Sequence, residues 1–326
     1  MAPFDTGLTR AAGIEIPLIC GAMYPCSNPE LVAAVSEAGG LGVVQPLSLA
    51  VVHGRSFREG MRRIRLLTKK PVGLNVLTEK SLSRVYRKRM ERYVDESLEE
   101  GVRFFVTALG NPRWVVERVK PLGGVVFHDV VDRKWALKGL EAGVDGLICV
   151  NRRAGGHAGY REPEELFTDV ADLGVPLVCA GGVGDERAFA AALRTGYAGV
   201  QMGTRFIATD ECRVPEEYKR AIVAAGEEDI VLTERVTGVP LSVIRNEYID
   251  RVGTKAGPVG RLLLKGRKTK HLMRALYSVR SFWQLKRALR EGKSTKDCWQ
   301  AGRSVAGISA IEPVATIIGR FAAQAP

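Results

Sequence analysis

The 326-residue sequence predicts an α/β fold, a (β/α)8 TIM barrel carrying an inserted helical second domain. Three observations predict it. Apolar, β-branched runs recur eight times with amphipathic stretches between them. Several of those stretches close on a glycine of the kind that caps a helix. The runs are continuous rather than alternating, as in strands covered on both faces. An open doubly wound sheet is the competing architecture, but the GxGxxG expected after its first strand is missing.

The predicted strands are PLICGA (17–22), LGVVQP (41–46), VGLNVL (72–77), RFFVTAL (103–109), GVVFHDV (124–130), DGLICVN (145–151), PLVCAGG (176–182) and GVQMGTRFI (199–207). Between them NPELVAAVSEAG, VVDRKWALKGLEAG and DERAFAAALRTG read as helices. After Phe206 the βα rhythm stops. Long polar helical segments follow, including EEYKRAIVAAG and the basic HLMRALYSVRSFWQLKRALREG, and the tail from WQAGRSVAGI is small-residue-rich again. The expected division is a barrel over 1–209, a helical lid over 210–294 and a return to the barrel over 295–326.

Composition narrows the class. A 46% hydrophobic chain with 36 glycines fits a soluble α/β protein. MAPFDTGLTR lacks a basic stretch followed by an apolar one, and no uncharged run reaches the roughly 20 residues of a membrane span. A cytoplasmic protein is the expectation. The six cysteines form no CxxC pair and have no histidine at ligand spacing, so neither a metal site nor a disulfide framework is expected. Cys26, on a loop, is the one thiol considered as a nucleophile, against the plainer reading of a packed side chain. Residues 251–300 hold 14 Lys or Arg against Glu291 and Asp297, which accounts for the net charge of +12.

Barrel active sites lie at the C-terminal ends of the strands. GAM (21–23), Asn75, His128 and Asp129, AGGHAG (154–159), AGGVGD (180–185) and MGTRF (202–206) all map to that rim. The turns after strands seven and eight are where barrels bind phosphate, with backbone N–H groups and a helix N-terminus. The plainer reading of Gly181 and Gly182 is a chain turn. The second turn, at Gly203 and Thr204, strengthens the phosphate reading, which implies a ligand with a phosphate and a flat reactive head. His157, between glycine pairs where no core holds it, suits a general base. His128 is a second pocket candidate, while His53 and His271 read as surface residues.

GAM, ELVAAVSEAGGLGVV, PVGLNV, AGGHAG, VCAGGVGD and VQMGTRFIATDEC together resemble the nitronate monooxygenase family, over about residues 13–215. That family shares its barrel with flavin-dependent enoyl-acyl-carrier-protein reductases and NADH:quinone reductases. The resemblance implies an FMN-dependent oxidoreductase that converts nitronates or nitroalkanes to carbonyl compounds and nitrite with O2. It implies that Gly21, Ala22 and Met23 lie along the flavin ring, that Asn75 bonds its polar edge, and that Asp129 and Gly155 border it. Ala180, Gly181, Gly182, Gly203 and Thr204 would bind the phosphate, and His157 aligns with the catalytic histidine. The chain departs from the family pattern at Arg153, where relatives often carry an acidic residue, and at AGR, where many have AGQ.

Two other functions fit the same sequence. One is an NAD(P)H-dependent reductase on the same scaffold, for which the basic segment would steer an acidic carrier protein or a phosphorylated thioester. The other is a basic module binding nucleic acid or an anionic membrane surface. No nucleic-acid motif supports the latter, and a solvated face explains the charge as well.

Overall fold

The structure, a computed structural model, describes residues 4–52, 56–78, 84–234, 240–255 and 299–325. His53, His271, Cys298, the predicted basic helix and most of the 251–300 segment lie outside the described residues. Eight parallel strands close into a barrel in sequence order: β1 (Leu18–Cys20), β2 (Leu41–Val44), β3 (Val72–Thr78), β4 (Phe104–Gly110), β5 (Val125–Val130), β6 (Gly146–Val150), β7 (Leu177–Ala180) and β8 (Gly199–Met202). β8 pairs back onto β1 in the register Ile19 to Gln201. The barrel is therefore that of the predicted fold class. Among the described residues no helix is long and apolar enough to cross a membrane.

Strand parity divides the apolar residues into two sets. Ile19, Leu41, Val43, Phe104, Val106, Phe127, Ile148, Val178 and Ala180 pack together inside the barrel, with Leu8, Ala12 and Ile14 from the N-terminal segment plugging one end. Their neighbours, among them Leu18, Leu74, Val126, Leu147 and Val200, face outward to the helices. The helix Pro29–Glu37 packs on β2, and the helix Glu186–Thr195 ends at Gly196 with φ +113°, the left-handed cap its sequence predicts.

Two differences from the sequence reading have physical causes. β8 stops at Met202 rather than running to Ile207, because the chain turns at Gly203 into a short helix, Thr204–Ile207. The segment after the barrel is not all helix. The helix Glu216–Ala224 is followed by β9 (Ile230–Thr233) and β10 (Leu241–Ile244), an antiparallel pair with Leu241 opposite Thr233. Each is four residues long and rich in β-branched or aliphatic side chains, a signal too short to separate from helix by periodicity.

Residues 299–325 pack against the barrel, and Arg205 ties them there. Its side chain is 2% exposed. Nη2 donates to Ala208 O at 2.7 Å and to Ala310 O at 2.6 Å, and Glu312 Oε2 lies 3.6 Å from Nη1. Burial lowers its pKa to about 10, so the guanidinium stays charged at neutral pH. Removing it strands two carbonyls, while Glu312 keeps its pair with Arg320 at 2.7 and 2.8 Å. Arg205→Met is expected to lower unfolding stability by about 2–4 kcal/mol. Urea titration checks this, and a midpoint equal to that of the wild type would contradict it.

Candidate active site

Asn151 directly follows β6 and is fully buried. Its Nδ2 donates to Gly181 O at 3.0 Å, and its Oδ1 accepts from the Arg153 backbone N–H at 2.9 Å. Asn151 O also accepts from Gly159 N at 3.1 Å, which closes the AGGHAG loop on its own start. One side chain thus joins the turn after β6 to the turn after β7. The sequence reading did not single it out. A polar residue closing a run of aliphatics was the available signal.

The glycines of the second turn are required by their surroundings. Gly181 and Gly182 have φ +118° and +84°, which L side chains avoid. A Cβ on Gly181 would also stand 2.5 Å from both Ala154 N and Asn151 Oδ1. A Cβ on Gly182 would stand 2.8 Å from Arg153 Nε. Successive amides in such a turn can hold an anion. The helix N-terminus expected to assist is already used, because Asp185 caps it by accepting from Ala188 N at 2.8 Å. A carboxylate at that end repels an anion, which leaves loop amides and side chains as the groups able to hold one.

Most of the predicted set meets at this rim. A Cβ on Gly155 would approach Gly302 N at 2.9 Å and Thr204 Oγ1 at 3.3 Å. Thr204 Oγ1 accepts from Gly302 N at 3.0 Å and keeps its own O–H to donate. Gly203 adjoins Met23, whose Sδ is 3.2 Å from where a Cβ would be. Gly21 N donates to Met202 O at 2.9 Å, and Ala22 packs against the inner barrel cluster. Ala180 is buried at the end of β7. Asn75 and Asp129 stand apart from these loops on β3 and β5, at inward positions of the barrel's upper layer.

That layer holds two unsatisfied groups. Among the described residues, Asp129 Oδ1 and Gln201 Oε1 are shut off from solvent without a hydrogen-bond partner. Gln201, inward on β8 beside Gly21, was missed because it sits within an apolar run. Desolvation raises the Asp129 pKa to about 7, so its carboxyl can act as a donor near neutrality. His128 is the reverse case. Strand parity turns it outward, against Gly139 of the helix Arg133–Glu141, where its Nδ1 lies 2.9 Å from Thr107 Oγ1. Burial lowers its pKa to about 4, and it is not a pocket residue. Cys26 is likewise buried beside Cys212, which raises its thiol pKa and makes it a poor nucleophile.

His157 is exposed at the same end as the glycine turns, two residues from Gly155. Its Nδ1 is 3.2 Å from Pro240 O. A carbonyl only accepts, so Nδ1 carries the hydrogen and Nε2 of the neutral ring keeps its lone pair. β10 fixes this loop from the other side, with Ser242 N donating to Gly156 O at 2.8 Å. The segment after β8 therefore touches this loop at both the His157 ring and the Gly156 backbone.

The profile of the family described as nitronate monooxygenase matches residues 5–323. The chain belongs to this family. It is an oxidoreductase on a barrel that the family's flavin enzymes use. It is 34% identical over 251 residues to a Mycobacterium tuberculosis protein named (3aS,4S,5R,7aS)-5-hydroxy-7a-methyl-1-oxo-octahydro-1H-indene-4-carboxyl-CoA dehydrogenase, covering 76% of this chain and 68% of that one. A Rhodococcus jostii protein of the same name is 30% identical, with 92% and 82% covered. The solved structure of FabK from Thermotoga maritima superposes with TM-score 0.78 at 29% identity, covering 98% of this chain and 96% of that one.

The buried carboxyl of this nitronate monooxygenase family member makes a pH prediction. An unfolded chain releases the Asp129 proton near 3.8, whereas the native chain keeps it to about 7. Between those values the native state binds more protons, so stability falls as pH rises, by at most about 1.4 kcal/mol per pH unit. Asp129→Asn removes that slope. Urea midpoints from pH 4 to 8 should diverge in favour of the Asn variant as pH rises, and parallel profiles would contradict the assignment.

Proposed function

We propose that the chain is an FMN-dependent oxidoreductase that oxidises a carbon acid, nitronates and nitroalkanes being the substrates its family suggests. The observation that carries this reading is His157, oriented by Pro240 O at 3.2 Å, beside a glycine turn where added side chains would collide. The residues fit FMN. The Gly181–Gly182 turn and the Thr204 hydroxyl suit a phosphate, and the orphaned Asp129 and Gln201 groups suit the polar edge of a heteroaromatic ring. Asn75 would add an amide to that edge, while Gly21, Ala22, Met23 and Gly155 leave a smooth wall for its face.

When bound, FMN supplies the electron acceptor and the reaction with O2. The protein's own contribution is positional and acid–base. His157 Nε2 takes the proton from the carbon next to the electron-withdrawing group, and the resulting imidazolium holds the anion in place. Asp129 in its protonated form donates to an acceptor atom above the barrel, which favours negative charge there.

A second reading shares these residues. The two relatives at 30% identity or more are named as CoA-thioester dehydrogenases, and the hydrogen next to a thioester carbonyl is acidic in the same sense. Reduction by NADH or NADPH, or action on an acyl carrier protein, belongs with this reading.

Anaerobic mixing of the yellow protein with a nitronate, an acyl-CoA, NADH or NADPH, read as loss of flavin absorbance, separates these substrates. Nitronate alone is expected to bleach the flavin. Bleaching by NADH alone would instead make the protein a reductase. His157→Ala is expected to retain FMN and to lose about 10²- to 10⁴-fold in turnover of a neutral nitroalkane, with a smaller loss on the preformed nitronate, which has no proton to give up. Equal losses on both would contradict the base role.

A further inference from the structure

We infer that Arg153 recognises the phosphate of the bound flavin, and that it makes the site select FMN over the unphosphorylated flavin. This rests on the Gly181–Gly182 turn being the phosphate cradle.

Arg153 N donates to Asn151 Oδ1 at 2.9 Å, and Arg153 O accepts from Arg303 N at 2.9 Å. Both ends of the residue are fixed, so the side chain has one direction to leave. It lies along Gly182. The three atoms nearest to a Cβ built there all belong to Arg153: Nε at 2.8 Å, Cδ at 3.0 Å and Cβ at 3.2 Å. Any side chain at 182 would displace the guanidinium, and glycine admits it to the edge of the turn.

The guanidinium is then held from beyond by the insert. Nη2 bonds Glu227 Oε1, and the two side chains are 29% and 35% exposed. Among the described residues this is the only hydrogen bond made by the five N–H donors of Arg153, which leaves the Nε edge over the turn. Partial burial strengthens its field relative to a surface charge. A phosphate monoester carries about −1.5 to −2 at neutral pH, and loop amides supply only partial charges to meet it. Arg153 brings a full positive charge on a rigid fork shaped for phosphate oxygens. Glu227 aims that fork but also competes for it.

The test compares two ligands that differ only by the phosphate. Apoprotein of the full chain is titrated with FMN and with riboflavin, using quenching of flavin fluorescence, for wild type, Arg153→Gln and Glu227→Gln. Arg153→Gln is expected to weaken FMN about tenfold or more, while riboflavin affinity stays within about twofold. Glu227→Gln, which keeps the cation and removes its competitor, should bind FMN as tightly as wild type or more tightly. Unchanged FMN affinity in Arg153→Gln would overturn the assignment. So would equal weakening of both flavins, or a Glu227→Gln variant as impaired as Arg153→Gln, since each describes a structural staple between loop and insert. A wild-type protein that binds neither flavin would remove the cofactor reading and this inference with it.

Discussion

The side-chain amide of Asn151 lies at the end of β6, sealed from water, and bonds to both glycine-rich turns at once. Its carbonyl oxygen fixes where Arg153 begins, and its NH2 fixes where Gly181 ends. The two loops could otherwise sample many conformations, because glycine imposes few limits of its own. A buried amide satisfied on both sides removes that freedom, since breaking either bond leaves a polar group unpaired in a dry environment. The crowding around Gly181, Gly155 and Gly302 follows from this clamp.

The rest of the site divides into three layers, each supplied by a different part of the chain. Inward residues of β3, β5 and β8 give the barrel a polar upper surface, with Asn75, Asp129 and Gln201 above an apolar interior. The loops after β6, β7 and β8 and the returning segment at Gly302 form the wall beside it. Among the described residues the segment after β8 reaches the loop after β6 through Pro240 at His157, Ser242 at Gly156 and Glu227 at Arg153. The contacts through Pro240 and Glu227 touch side chains with proposed chemistry, which ties the position of that segment to the orientation of those groups.

Much of this was legible in the sequence, for reasons that can be traced. Continuous β-branched runs revealed the eight strands, because parallel strands in a barrel bury both faces. Glycine clusters revealed the rim, because only close approach and unusual turns demand so many. Parity was harder. His128 and Asp129 are adjacent, and the end of a strand alone does not show which of them points inward. Pairing Phe127 with the interior decides it, sending Asp129 in and His128 out. Gln201 was hidden by the apolar residues flanking it, and Asn151 by its distance in sequence from the turn it holds. The β9–β10 pair was read as helix because four-residue strands carry too few repeats to display their period.

We propose that the glycine turns of this barrel hold the phosphate of a flavin near an oriented imidazole. A crystal structure of the protein loaded with FMN tests it most directly. Phosphate oxygens are expected within hydrogen-bonding distance of the Gly181 and Gly182 amides, with the ring directed toward the Asp129 and Gln201 side chains. A flavin bound at the opposite end of the barrel, or with its phosphate away from residues 181 and 182, would contradict it.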